Sequence, residues 1–229
     1  MSLTAAMEGL TRRCLMCERD HDVAAFWHAA LHHSQALRER VAAFHPTAES
    51  IGHLAESDIA GVVEHGFRTL VLNRTRRGGI LAPGASLQRK GENGKGILSR
   101  WYPETIEARL AEIERHADRI TFCETDGVQF LEAVPSAPGK TVVFVDPPYT
   151  AGGKRAGKRL YTHNEIDHGR LFELLADQGL DFMMTYDCAP EILRLVRKYR
   201  FCAVKVMMKN THHNRLPELL VTPRPLFGA

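Results

Sequence analysis

The stretch Thr141-Val142-Val143-Phe144-Val145-Asp146-Pro147-Pro148-Tyr149 decides the fold class of this chain. Its first five residues form a short apolar run rich in β-branched side chains, and this run predicts a buried strand over 141–145. Asp146 follows as the first charged residue, and the next two prolines fix the backbone. The segment therefore predicts a strand that delivers a carboxylate at its carboxyl end.

Strands and helices are predicted to alternate on both sides of this segment. On the carboxyl side the patterns predict helices over 166–178 and 189–198, and strands over 182–186, 201–208 and 218–222. On the amino side they predict strands over 14–17 and 120–123, helices over 2–9, 21–44, 48–64 and 105–116, and an apolar segment over 67–72. Such alternation predicts an α/β fold with a largely parallel sheet.

Four acidic residues are expected at one edge of that sheet. Glu18, Asp126, Asp146 and Asp187 each come at or just after the end of a predicted strand. Ligands of open α/β sheets bind beyond the carboxyl ends of the strands. We therefore expect the ligand site at this edge.

The residues from Asp146 to Tyr149 suit a planar base that carries an amino group. The Asp146 carboxylate and the Pro147 carbonyl can each accept one hydrogen of the amine, while Tyr149 stacks on the ring. Two acceptors localise the nitrogen lone pair and stabilise the positive charge that develops during attack on a methyl sulfonium. The alternative is a tight turn that contains Pro-Pro, because turns favour Asp and Pro.

Composition sets broad limits on the class of protein. The chain has 229 residues, 44% of them hydrophobic and 25% charged, which suits one well-buried domain with a small insertion. No apolar stretch approaches the roughly 20 residues of a membrane span, and the first residues carry no basic signal region, so we expect a cytoplasmic protein with no membrane partner. Cys14 and Cys17 form a C-x-x-C that we interpret as core thiols rather than a metal or redox site. We expect no metal, and we interpret His212-His213 as a polar loop because adjacent extended residues point oppositely.

Basic residues are concentrated in two segments, although the net charge is only +3. The first segment runs from Arg74 to Arg100 and has Glu92 as its only acid; the second runs from Lys154 to Arg159. Two basic loops near one candidate site suit a polyanionic substrate. For either loop alone, a solvated and charged loop is the favoured interpretation. The predicted division is 1–72, a basic insertion at 73–101, and 102–229.

Five short motifs carry a resemblance to a known family. They are Leu72-Asn73-Arg74-Thr75 with Gly79-Ile80, Asp126, Asp146-Pro147-Pro148-Tyr149, Thr185-Tyr186-Asp187 and Glu218-Leu219-Leu220. Across about residues 14–221 the chain resembles the DNA adenine methylase (Dam-type, alpha-class) amino-methyltransferases. The resemblance implies a class I S-adenosylmethionine-dependent methyltransferase fold, a Rossmann-like sheet with a final antiparallel strand. It also implies S-adenosylmethionine as cofactor and double-stranded DNA as partner.

The resemblance also implies roles for individual residues. Asp146, Pro147, Pro148 and Tyr149 would grip a flipped-out adenine, with Asp146 also beside the cofactor. Glu18 would hold the cofactor ribose and Asp126 its adenine; alternatively Glu18 is only a polar residue after a strand, and Asp126 a helix N-cap. The basic insertion would recognise DNA, or Asn73 and Arg74 would brace the fold. The candidate DNA-binding residues are Asn73, Arg74, Arg76, Arg77, Lys90, Lys95, Arg100, Lys154 and Lys158.

One departure from the family concerns the first strand. In the family this strand ends in a turn of the form Phe-x-Gly-x-Gly, and no such turn precedes Glu18. Residues 2–6 resemble the helix that follows the turn, so the sequence is expected to lack the central strand. Unpaired apolar edges on the neighbouring strands would then favour oligomers, although no obligate protein partner is inferred. RNA as substrate, and a catalytically impaired DNA-binding remnant, are the alternative functions.

The missing glycine turn predicts weak or absent cofactor binding. Isothermal titration of the chain with S-adenosylmethionine should give no saturable heat in the low-micromolar range, because no glycine backbone is available to approach the methionine end. Low-micromolar binding would contradict this expectation.

Overall fold

Helices and strands alternate through the part of the chain that the structure, a computed structural model, describes: residues 1–82, 84–134, 141–148, 166–209 and 215–226. The chain divides into two units, one covering Met1–Gly127 and one that begins at Val128. This division falls inside the segment 102–229 that was predicted to be catalytic.

The first unit combines a pair of parallel strands with six helices. Strands β1 (Cys14–Glu18) and β2 (Ile120–Glu124) pair in register, so that Glu18 lies opposite Glu124. The helices are α1 (Ser2–Met7), α2 (His21–His32), α3 (Ser34–Ala43), α4 (Ala48–Glu56), α5 (Val62–Thr75) and α6 (Pro103–Arg115). Short 3₁₀ turns cover Arg77–Gly79, Glu92–Gly94, Gly96–Arg100 and Ala117–Arg119.

Side-chain caps fix where two of these helices begin. The Asp20 carboxylate accepts hydrogen bonds from the backbone N–H groups of Asp22 (3.0 Å) and Val23 (3.3 Å), and α2 begins directly after it. Thr47 and Ser50 cap α4 reciprocally, each side chain bonding to the backbone N–H of the other. Such caps satisfy N–H groups that have no partner inside the helix. The beginning of α2 places Glu18, two residues upstream of its cap, at the sheet edge.

The helical prediction was wrong at two places in this unit, and a third segment had been given no structure. The helix predicted over 21–44 breaks at His33, where φ is −136° and ψ is 33°. The helix predicted over 48–64 ends at Glu56, and the apolar segment over 67–72 lies inside α5, which continues to Thr75. The spacing of Phe67, Leu70 and Val71, all buried, is that of a helical face, which the short window concealed.

The second unit contains a mixed four-stranded sheet. Its elements are α7 (Gly127–Ala133, which starts at the boundary), β3 (Val142–Val145), α8 (His168–Gln178), β4 (Asp181–Asp187), α9 (Pro190–Lys198), β5 (Cys202–Lys209) and β6 (Arg215–Thr222). The strand order is β3-β4-β6-β5. Strand β4 is parallel to β3, whereas β6 is antiparallel to both of its neighbours. The α/β class and an antiparallel final strand are therefore confirmed, but the described strands form two sheets instead of one.

Alternation along β4 explains how the second unit is packed. Phe182, Met184 and Tyr186 are at most 3% exposed and lie in one core cluster with residues of α8 and α9. Their neighbours along the strand point to the opposite face, as the period of two requires. Thr185 is therefore on the face that this core does not cover.

Gly66 sets the closest approach between α2 and α5. A Cβ built at Gly66 would lie 2.8 Å from both the Ala25 carbonyl oxygen and the Ala29 Cβ. Close packing of this kind leaves no room for a methyl group without a shift of the backbone.

We predict that Gly66→Ala destabilises the protein by about 1–3 kcal/mol, because overpacking outweighs the better helix propensity of alanine. The matched control is Gly52→Ala in α4, where an added Cβ meets nothing within 4 Å. That change should stabilise by about 0.5–1 kcal/mol. Denaturant unfolding of both variants measures the difference, and equal effects would contradict the packing argument.

Candidate functional site

Asp146 lies at the carboxyl end of β3 and is exposed to solvent. Val145 pairs with Met184 in parallel register, which brings Asp146 beside Thr185. The Thr185 hydroxyl donates a hydrogen bond to Asp146 Oδ1. The carboxylate is thus held in one orientation while the residue that carries it faces solvent.

The two prolines that follow Asp146 differ in their exposure. Pro147 is buried and Pro148 is half-buried. Neither has a backbone N–H, so the polar groups of this segment are hydrogen-bond acceptors. Such a surface is suited to a ligand that presents hydrogen-bond donors. Tyr149 lies outside the described residues, so its predicted stacking role stays a prediction.

Thr185 belongs to one of the motifs of the resemblance, but no role was predicted for it. It stands in Phe182-Met183-Met184-Thr185-Tyr186, where it is the first hydroxyl in an apolar strand. Its partner became evident only from the parallel register of β3 and β4, which a single sequence does not specify. The polar interruption of the strand was the available signal.

A buried pair lies beneath this edge of the second unit. His168 Nδ1 is 2.9 Å from the Tyr186 hydroxyl oxygen, and the two rings make an edge contact with centroids 5.5 Å apart. Burial lowers the pKa of His168, and the carboxylates of Glu191, Asp187 and Asp167 oppose that shift. Asp187, at the end of β4, is 9% exposed.

Glu18 and Asp126 lie at the carboxyl ends of the two parallel strands of the first unit. Glu18 Oε1 accepts hydrogen bonds from the backbone N–H groups of Arg19 (2.8 Å) and Asp20 (2.9 Å). The Thr125 N–H donates to the Glu18 carbonyl (3.0 Å), which fixes the turn that leads to Asp126. Arg19 Nη1 is 3.2 Å from Asp126 Oδ2 and links the two turns.

This arrangement is compatible with the cofactor contacts that were predicted for the two acids. Both described bonds to the Glu18 side chain use Oε1. Asp126 directly precedes α7 and is partly exposed. The structure brings Glu18 together with Asp126 in the first unit, and Asp146 together with Thr185 in the second.

Three of the candidate DNA-binding residues make hydrogen bonds inside the protein. Asn73 Nδ2 donates to the Gly79 carbonyl (3.0 Å) and Arg76 Nη1 to the Leu81 carbonyl (2.9 Å). Arg100 Nη2 donates to the Asn73 carbonyl (2.5 Å) and lies 3.3 Å from Asn73 Oδ1. These contacts fit the alternative in which such residues brace the fold.

Other candidates in the basic segment face solvent. Arg77, Lys90 and Lys95 are exposed, and Lys95 Nζ lies 5.2 Å above the centroid of the Tyr102 ring. Arg74 is partly buried in the last turn of α5. Lys154 and Lys158 lie outside the described residues, as do His212 and His213.

The described residues also bear on metal, thiol and membrane chemistry. Within the described ranges, no group of three or more His, Cys, Asp or Glu side chains is placed to hold a metal ion. Cys14 is buried, and burial together with Glu18 raises the pKa of Cys17 to about 11, which is typical of a core thiol. None of the helices in these ranges is both long enough and apolar enough to span a membrane.

A pocket of about 280 Å³ lies at the opposite end of β4 from Asp187, beside Leu180, Asp181 and Arg224. Its polar rim is occupied by the ion pair between Arg224 and Asp181. The exposed Asp146 carboxylate and the Thr185 hydroxyl that bonds to it lie towards the other end of the strand. We therefore place the candidate site at Asp146.

Comparison with known proteins does not identify the family. No protein-family model matches the chain, and no curated protein matches it either. The functional argument therefore depends on the residues and on their arrangement.

We predict that His168 makes stability depend on pH. Its pKa in the folded protein lies below the ordinary value of 6.5, so below that pH the unfolded chain binds a proton that the folded protein does not. The contribution of neutral His168 to the free energy of unfolding is fully present above about pH 6.5. It decreases as the pH falls from that value towards the lower pKa of the folded protein. Denaturant unfolding at several pH values should show a smaller loss for His168→Gln than for the unmodified chain.

The control is His45→Gln, which removes an exposed imidazole. It should leave the pH dependence unchanged. Parallel pH profiles for the His168→Gln variant and the unmodified chain would show that burial of His168 does not matter.

Proposed function

We propose that this chain is an S-adenosylmethionine-dependent methyltransferase that acts on the exocyclic amino group of adenine in DNA. The observation that carries the proposal is the exposed Asp146 carboxylate, which the Thr185 hydroxyl orients at the carboxyl end of β3 and which Pro147-Pro148 follows. A hydrogen-bond acceptor held in one orientation at the carboxyl ends of the strands suits a substrate that must present a hydrogen-bond donor in one orientation.

The chemistry requires an acceptor pair more than a nucleophilic side chain. The lone pair of an adenine amino group is delocalised into the ring, which makes the nitrogen a weak nucleophile. The Asp146 carboxylate and the Pro147 carbonyl would accept its two hydrogens, which localises the lone pair and stabilises the developing positive charge. When bound, S-adenosylmethionine would supply the methyl group on its sulfonium: a nitrogen–carbon bond would form as the carbon–sulfur bond breaks, sulfur would keep the electron pair, and the proton lost from the amine would pass to solvent.

The strand arrangement supports a class I methyltransferase fold. The described strands form a two-stranded and a four-stranded sheet, and each of them contains a parallel pair of strands. The antiparallel β6 beside β4 matches the final strand of that fold. Val142 on β3 is 73% exposed and Leu15 on β1 is 49% exposed.

The first unit supports the cofactor and DNA parts of the proposal. Glu18 and Asp126 are linked through Arg19 at one sheet edge, where a ribose and an adenine would bind. Exposed cations at Arg77, Lys90 and Lys95 suit a phosphate backbone. An enzyme that modifies a base within a duplex must turn that base out of the stack.

The proposal is tested by transfer of labelled methyl from S-adenosylmethionine at high concentration to duplex DNA and to RNA. Asp146→Asn should lower the rate by about 10²-fold or more, because the amide no longer provides the same charged acceptor. The control Asp177→Asn changes an exposed acid in α8 and should have no effect. Methyl transfer to RNA but not to DNA would show that RNA is the substrate. DNA binding without methyl transfer would indicate a catalytically impaired DNA-binding remnant.

Variants at Thr185 test whether the rate depends on the orientation of the Asp146 carboxylate, because they leave Asp146 itself unchanged. Thr185→Val removes the hydroxyl and should lower kcat by about tenfold to a hundredfold, since small misplacements are costly. Thr185→Ser retains the hydroxyl and should restore most of the rate. Equal rates for the valine and serine variants would refute the positioning role.

A further inference from the structure

Strand β5 forms one edge of the four-stranded sheet and exposes much apolar surface along its length. It pairs with β6 on one side, and no strand in the described ranges pairs with its other side. Four of its side chains, Val204, Val206, Met207 and Met208, are large, apolar and between 37% and 56% exposed. A contiguous apolar surface of this kind marks an interaction site.

The exposed side chains of β5 lie on both faces of the sheet. Successive residues of a strand point to opposite faces, so Val204, Val206 and Met208 share one face and Met207 lies on the other. The outer side of an edge strand also presents backbone N–H and C=O groups that can pair with a further strand. Charged residues commonly protect such edges, but residues 203–208 include a single one, Lys205. The partner that this edge fits is therefore another β-strand.

The sequence of β5 is complementary to itself in one antiparallel register. A two-fold axis perpendicular to the sheet places one residue opposite its own copy. If that residue is Val206, then Val204 lies opposite Met208, and Lys205 lies opposite Met207. A register centred on Lys205 places two lysines opposite each other, and one centred on Met207 pairs position 205 with position 209, which are both lysines. Because like charges directly opposite one another are destabilising, the register centred on Val206 is favoured.

We propose that β5 is a dimerisation surface, to which a second copy of this chain adds its own β5 with Val206 opposite Val206. Backbone hydrogen bonds then join the two four-stranded sheets into one continuous sheet. Val204, Val206 and Met208 of both copies form a row of apolar cross-strand pairs on one face. Strand β3, which delivers Asp146, lies at the opposite edge of the sheet, so the dimer does not depend on the proposed function.

Light scattering of the full chain at a series of concentrations tests the surface. The unmodified chain should show a reversible equilibrium between monomer and dimer, because association follows mass action. Val206→Lys places two like charges on the axis and should weaken dimerisation at least about tenfold. The matched control is Val142→Lys, which adds the same charge at an exposed valine of the other edge strand and should leave dimerisation unchanged. An unmodified chain that stays monomeric, or a larger effect of Val142→Lys, overturns the proposal.

Opposite charges at position 206 test the register. Val206→Glu alone should be as weak a dimer as Val206→Lys, whereas a mixture of the two variants should form heterodimers, since a carboxylate then faces an ammonium group across the axis. Only a residue that lies opposite its own copy gives this result. Thermal unfolding of each variant checks that both remain folded. A mixture that stays monomeric overturns the proposal.

Cross-linking provides a measurement that does not depend on charged variants. Residues directly opposite in an antiparallel pair have Cα atoms about 4.5–5.5 Å apart, which a disulfide can bridge. Val206→Cys, treated with a mild oxidant, should therefore give a disulfide-linked dimer on a non-reducing gel. In the control Val204→Cys the two introduced thiols are four residues out of line, about 13 Å along the strands, and should not cross-link. Both variants keep the native cysteines, so equal cross-linking of the two overturns the proposal.

Discussion

The parallel pairing of β3 with β4 is the constraint on which the candidate site depends. Val145 pairs with Met184, and the two strands run in the same direction. The next residues of the two strands, Asp146 and Thr185, are therefore neighbours and form a hydrogen bond. A shift of one residue in this register would place Asp146 beside Met184 or Tyr186, both of which point into the core. The hydrophobic face of β4 therefore fixes the chemistry at its edge.

Much of the second unit was predictable from the sequence because its elements are short and strongly patterned. The alternation of buried Phe182, Met184 and Tyr186 identifies a half-buried strand, and Pro190 marks the first turn of α9. The acid at the end of 141–145 was recognised for the same reason: a charged residue directly after an apolar run indicates the end of a strand. Strand register and sheet order were beyond reach, because pairing depends on residues distant in the chain.

The first unit was harder to predict, and the errors have physical causes. His33 interrupts a helical pattern that continues on both sides of it, so periodicity alone gives one helix where there are two. Charge likewise did not distinguish arginines that brace the fold from arginines that face solvent. Arg76 and Arg100 donate to backbone carbonyls, whereas Arg77 is exposed, and only the path of the backbone separates these roles.

The glycine in α5 has a consequence for how the first unit can vary. The absence of a side chain at Gly66 lets α5 lie against the backbone of α2. The neighbouring residue His65 bonds across the same contact, with its Nε2 2.5 Å from Asp22 Oδ1. Helix α2 begins two residues after Arg19 and helix α5 carries Arg74 in its last turn, so the contact at Gly66 joins the helix that follows an acidic turn to the helix that precedes a basic one. A larger residue at Gly66 would therefore be expected to shift both turns, although Gly66 lies in neither of them.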